Sequence, residues 1–192
     1  MTTKTKIIVL TLFAFTISFN VKSQNFTLPE GYEAFKDSDG KEHRVDGDFD
    51  GDGLNDLAIV CATKNGENIV VVYLASKFLI DQSYWSFPWN YFNNKLSFTN
   101  NVLNIESDDY YDYIVLKLKY YSNLKNLKLI GFSRKYYLRH PTTFVGSNSI
   151  NLNTNEYSVN GGPNKKININ TITLSDIEKH FEFLREVGGV FN

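Results

Sequence analysis

Cysteine is nearly missing from this chain. Cys61 is the only one in 192 residues, so no internal disulfide can form and no cysteine-rich metal site can be built. Histidine is almost as scarce. His43, His140 and His180 are the only imidazoles; they lack H-x-x-x-H spacing, and none shares a motif with a nucleophilic serine or with Cys61. Neither a zinc site nor a nucleophilic triad is therefore legible. No glycine-rich phosphate loop is present. An excess of positive charge is lacking too: 20 basic residues face 21 acidic ones, which argues against a nucleic-acid partner, since that would need a basic face. Hydrophobic runs approaching membrane length are confined to residues 7–19, and 13 residues are too few to span a bilayer comfortably.

That run follows Lys4 and Lys6 and precedes Val21 and Ser23, small residues at the places a signal peptidase reads. The arrangement predicts an export signal over residues 1–23, cleaved after Ser23, and a single domain over residues 24–192. Loss of Lys4, Lys6 and Lys22 takes the formal charge from −1 to −4. With no cysteine at the cleavage point a lipid tether is not expected, so the mature protein should be periplasmic or extracellular. Cys61 ends an apolar run and reads as a buried small hydrophobe.

What the chain has instead is acid at fixed spacing. Asp46, Asp48, Asp50, Asp52 and Asp56 fall within eleven residues, and the apolar residues 57–61 follow at once. The nearest cations, Arg44 and Lys64, lie outside, so a compact loop would repel itself unless a cation sat among the oxygens. With Asp48 as position 1, acids fall at positions 1, 3, 5 and 9 and Gly53 at position 6, where the chain must turn sharply around an ion. The expected ligands are the side chains of Asp48, Asp50 and Asp52, the backbone carbonyl of Leu54, and Asp56 directly or through water. Such hard, flexible oxygen donors favour Ca2+ over Mg2+. An EF-hand does not fit, because position 12 is Ile59 and no helix leads in. A solvated acidic turn, a metal that only staples the fold and a metal that also touches a partner are the three readings of this loop.

Residues 48–57 resemble the FG-GAP and VCBS-type calcium repeats, whose signature has the form D-x-D-x-D-G-x-x-D-L. Those repeats usually recur around a β-propeller. This chain carries one clear copy and is too short for a full propeller; Asp37, Ser38, Asp39 and Gly40 read as an ordinary turn.

The remaining pattern is mainly β: an antiparallel sheet, as a sandwich, partial barrel or propeller-like unit, with one C-terminal helix. Residues 24–45 read as an irregular lead-in. Asn65 and Gly66 mark a hairpin into residues 69–74, whose unbroken apolar run predicts a central strand covered on both faces. Residues 96–98 and 102–105 predict a second hairpin around Asn100 and Asn101. In residues 113–121, Ile114, Leu116, Leu118 and Tyr120 alternate with Val115, Lys117, Lys119 and Tyr121, the mark of a half-buried strand returning through residues 127–132. Lys117, Lys119, Lys125, Lys128, Arg134 and Lys135 read as a solvated face of that ribbon. A turn-rich stretch around Gly146 precedes short strands at 150–152, 157–159 and 167–169. Ser175 and Glu178 spell a capping box for a helix whose face is Ile177, Phe181 and Leu184, with Gly188 as its stop.

Three readings of function follow. The aromatic segment holding Tyr84, Trp85, Trp89 and Tyr91 is either core or an exposed platform for a protein or glycan. The overall layout, with an export signal, one early aspartate loop, tyrosine-rich antiparallel strands and the pattern of residues 149–157, resembles small exported bacterial proteins that include periplasmic immunity proteins and lysozyme inhibitors. That resemblance implies a non-catalytic module that plugs a peptidoglycan hydrolase with a loop. The S-G-x-x-Y inhibitory motif of such inhibitors is not present, so no inhibitory residue carries over. An adhesin-like surface module acting through the aromatic segment is the rival, and a hydrolase assembled from scattered residues is the third.

Overall fold

The computed structural model describes residues 26–76, 85–88, 94–108, 111–139 and 143–187. The expected export signal over residues 1–23 lies outside them. Twelve strands among the described residues form two antiparallel sheets, neither closed into a barrel.

The five-stranded sheet contains β1 (Tyr32–Ala34), β2 (Arg44–Gly47), β3 (Asp56–Thr63), β4 (Asn68–Tyr73) and β5 (Trp85–Pro88). Apolar residues fill most of β3 and β4, and the two strands are covered on both faces, as the unbroken apolar run predicts. Ala58, Val60, Val70 and Val72 point into the main core. Leu57, Ile59, Cys61, Ile69, Val71 and Tyr73 point the other way, beneath Phe26, Leu28, Tyr32 and Ala34. The lead-in is thus not irregular. β1 pairs with the last residues of β3 and β2 with its first, so the two share one edge of it. They span three and four residues, too few for alternation to declare itself. Between them Asp37 Oδ1 accepts the N–H groups of Asp39 (3.0 Å) and Lys41 (2.9 Å), the ordinary turn expected there.

Burial pushes the Cys61 thiol up to about 12. The thiolate is the reactive form, so native protein should resist a thiol-specific reagent and become labelled only when denaturant opens the strand. Rapid stoichiometric labelling in native buffer would mean that β3 is exposed.

The larger sheet is a meander of β6 (Asn94–Thr99), β7 (Val102–Asp108), β8 (Asp112–Tyr121), β9 (Asn126–Arg139), β10 (Thr143–Asn151), β11 (Glu156–Val159) and β12 (Lys165–Lys166), each paired with the next. Asn100 and Asn101 both take positive φ (52° and 59°), the turn whose twist suits a tight hairpin. In β8 Ile114, Leu116 and Leu118 are buried while Lys117 and Lys119 are exposed. Gly146 does not break the chain; it lies buried inside β10, next to a register shift at Phe144. Ile167 and Ile169 are not strand residues but side chains packed against the core.

The sheets face each other as a sandwich. Leu103, Ile105, Ile114, Leu116 and Leu129 of the large sheet meet Ala58, Val60, Val70 and Val72 of the small one. They approach closely at Gly47, where a Cβ would stand 2.6 Å from Phe98 Cδ1, beside the Phe49–Phe98 ring pair at 4.8 Å. Gly47→Ala should therefore lower stability by about 1–3 kcal/mol in urea titration; an unchanged midpoint would mean that Phe98 swings aside freely.

A 3-10 turn, Leu174–Asp176, leads into α1 (Ile177–Glu186). Ile177 and Leu184 are buried and Phe181 partly so, the face read from the spacing. The start differs from the capping box. Leu174 is fully buried in the tight first turn, and Thr173 Oγ1 donates to Asp176 Oδ2 (2.6 Å) while Ser175 caps nothing. Gly188 lies outside the described residues. Arg134 also departs from the solvated-face reading. The alternation that buries Phe132 buries Arg134, which is 5% exposed and clasps Asp112 through Nε (2.5 Å) and Nη2 (3.0 Å). Arg185 of α1 reaches the same carboxylate (3.1 Å), and Asn148 Nδ2 donates to the carbonyls of Leu184 (3.1 Å) and Val187 (3.1 Å).

Candidate metal centre

The aspartate loop joins β2 to β3, on the sheet edge where the two pair. Gly51 and Gly53 take φ of 81° and 85°, values that suit glycine, so the chain reverses twice within the acidic run. Carboxylate oxygens of Asp48, Asp50 and Asp56 lie within 4.8 Å of one another. Asp48 is pinned by the loop backbone, its Oδ1 accepting from Gly51 N–H (2.7 Å) and Asp52 N–H (3.0 Å) and its Oδ2 from Gly53 N–H (3.0 Å). Oδ2, which accepts only one of these bonds, has further lone-pair capacity for a cation. Asp46 is drawn off by the Arg44 guanidinium, which donates to both of its oxygens.

Asp56 is the unusual member. As the first residue of β3 it is fully buried, and it accepts Phe49 N–H (2.6 Å) and Ala75 N–H (2.7 Å). Burial outweighs those two bonds and pushes its carboxyl up to about 7, with Asp50 and Asp52 adding repulsion. Asp50 is raised for the same first reason, burial, then by Asp52. The Tyr120 phenol across the core interface is raised by burial and then by the charges of Asp50, Asp52 and Asp56.

Of the five expected ligands, then, three carboxylates converge. Asp52 stands outside that trio, its Oδ1 taken by Leu54 N–H (2.8 Å), and Leu54 carries a side chain that is 38% exposed. Ser76 was not legible beforehand: its hydroxyl donates to Asp50 Oδ2 (3.3 Å), brought there by the end of β4, and no spacing in the chain points to it. Hard carboxylate oxygens, one of them buried with no cation paired to it among the described residues, are a donor set that could hold a metal ion.

The aromatic candidates are placed only in part. Trp85 opens β5, its backbone paired with Val72; Tyr84, Trp89 and Tyr91 lie outside the described residues. His43 packs edge-on against Phe35 (4.9 Å), and its Nε2 stands 3.9 Å from Asp37 Oδ2. Exposed apolar side chains gather instead where β9 meets β10. Leu138 and Phe144 are 63% and 54% exposed, beside Val145 and Tyr111, and Phe144 lies edge-on to Tyr137 at 5.9 Å. No helix among the described residues is long and apolar enough to cross a membrane. Comparison with protein-family models, curated proteins and solved structures returns no match.

Proposed function

We propose that this is an exported, calcium-stapled binding module without catalytic activity, acting as an inhibitor or immunity protein toward a peptidoglycan hydrolase. The observation that carries the calcium part is the convergence of Asp48 and Asp50 on the fully buried Asp56. A buried carboxyl among like charges is unfavourable by itself, and a divalent cation turns that arrangement into a staple between β2, β3 and the end of β4. The binding part is supported by the patch of Tyr111, Leu138, Phe144 and Val145, since clustered exposed apolar side chains on a β-sheet end suit a protein partner.

Purified residues 24–192 should abolish the activity of a susceptible lysozyme at equimolar ratio in calcium-containing buffer. Leu138→Ser with Phe144→Ser should remove that inhibition while leaving the unfolding midpoint within about 1 kcal/mol of the parent, as surface changes usually do. No inhibition across a panel of peptidoglycan hydrolases would overturn the inhibitor reading, and turnover of a substrate by the protein alone would overturn the non-catalytic one.

A further inference from the structure

The geometry points to a second ligand site, and we infer that it takes a monosaccharide-sized hydroxylated molecule bearing one negative charge, that is, a sugar acid. The site arises where β9 changes partners. β10 pairs with β9 as far as Asn151↔Gly131, and Leu152 N–H closes the last bond to Ile130 O (3.1 Å). Beyond that point a different segment takes over: Leu129 N–H donates to Ile172 O (2.9 Å), and Lys128 bridges to Thr173. Between the departing turn and the arriving segment is a pocket of about 160 Å³.

Its chemistry is consistent around the wall. Asn153 and Asn155 face it from the turn, Asn170 and Thr171 from the other segment, and Lys128 from β9, with buried Leu152 and Ile172 behind them. Amide and hydroxyl groups both donate and accept, which matches sugar hydroxyls; a bare phosphate would leave the acceptors unused. Lys128 is the only ionisable lining residue, so one negative charge on the ligand is favoured and a cation is not. The pocket is smaller than the roughly 300–1,000 Å³ of sites for drug-sized molecules, which limits the occupant to about one ring.

The walls are already in place. Asn151 Oδ1 accepts the N–H groups of Asn153 (3.0 Å) and Thr154 (3.3 Å), and Asn155 O accepts Ile167 N–H (3.0 Å). The Tyr121 hydroxyl donates to Asn153 Oδ1 (3.4 Å), and Lys128 Nζ stands 5.3 Å over the Tyr121 ring, which limits where the cation can go. Nothing here involves the aspartate loop, so the site does not rest on the calcium reading.

The test is a titration of isotope-labelled protein with glucuronate, glucose and inorganic phosphate in turn, followed by side-chain amide signals. Glucuronate should shift the Asn153, Asn155 and Asn170 signals saturably, with glucose about tenfold weaker for want of a charge-assisted bond. Lys128→Met should bring glucuronate down to the level of glucose, and Asn170→Ala, an exposed change, should weaken both. Phosphate shifting the same amides as strongly as glucuronate while glucose is silent would overturn the sugar-acid assignment in favour of a bare anion site. Saturable shifts with none of the three would overturn the site itself.

Discussion

Asp112→Ala is expected to destabilise the domain by about 3–5 kcal/mol, because it strips a buried guanidinium of its counter-charge. Arg134 is 5% exposed and Asp112 4%, so neither can turn to water when its partner goes. For a domain of this size that corresponds to a fall in Tm on the order of 10 °C. The double variant Asp112→Leu with Arg134→Met should recover most of the loss, since apolar groups of similar volume remove the desolvation penalty along with the attraction. Arg185, whose side chain is 25% exposed, can then return to solvent and to Glu182. Urea titration reads both outcomes; a single variant that lost less than about 1 kcal/mol would show the pair to be solvated.

Calcium should raise the unfolding midpoint by several degrees, and Asp50→Ala should be blind to it. A site filled at about 100 times its Kd adds about 2.7 kcal/mol. The effect should also depend on pH with a definite sign. In chelator, the Asp56 carboxyl titrates at about 7 in the fold against an ordinary value of 3.8, so between those limits the native state holds a proton that the unfolded chain has released. Stability supplied by that proton is complete below about 4 and is lost as pH rises through about 7. Calcium displaces the proton and should remove this decline, so its stabilisation grows across the same window. The check is the pH profile of wild type minus that of Asp56→Asn, with and without calcium. A flat difference in chelator would mean that the bonds from Phe49 and Ala75 outweigh burial, and no midpoint shift with calcium would leave the loop a solvated turn.

Legibility followed the range of the interactions. The alternation in β8 and the unbroken apolar runs of β3 and β4 are local patterns, and each lands as read. Asn65-Gly66 and Asn100-Asn101 are likewise turns whose chemistry is local. β1 and β2 were missed because strands of three and four residues owe their existence to β3, a partner that lies further along the chain. Arg134 looked like surface because charge normally is; only Asp112, 22 positions away, makes its burial tolerable. In the candidate centre the spacing picked out Asp48, Asp50, Asp52, Leu54 and Asp56, of which the carboxylates of Asp48, Asp50 and Asp56 lie together, whereas Ser76 and the buried state of Asp56 depend on where β4 ends. The pocket beside Lys128 was invisible for the same reason, its walls being 24 and more positions from that lysine.

The segment from Ile172 to Val187 is fastened to β9 and β10 at both ends, first at Leu129 and last at Arg134 and Asn148, and between them it carries Leu174, Ile177 and Leu184 into the core. A chain emerging from its amino end can pair neighbouring strands of the meander one after another, but it cannot seal the sandwich until that strap is free to close over it. Folding is therefore timed by residues near the end of the sequence. Were the chain exported, as proposed, such a delay would keep the earlier strands open and threadable until the crossing is nearly done.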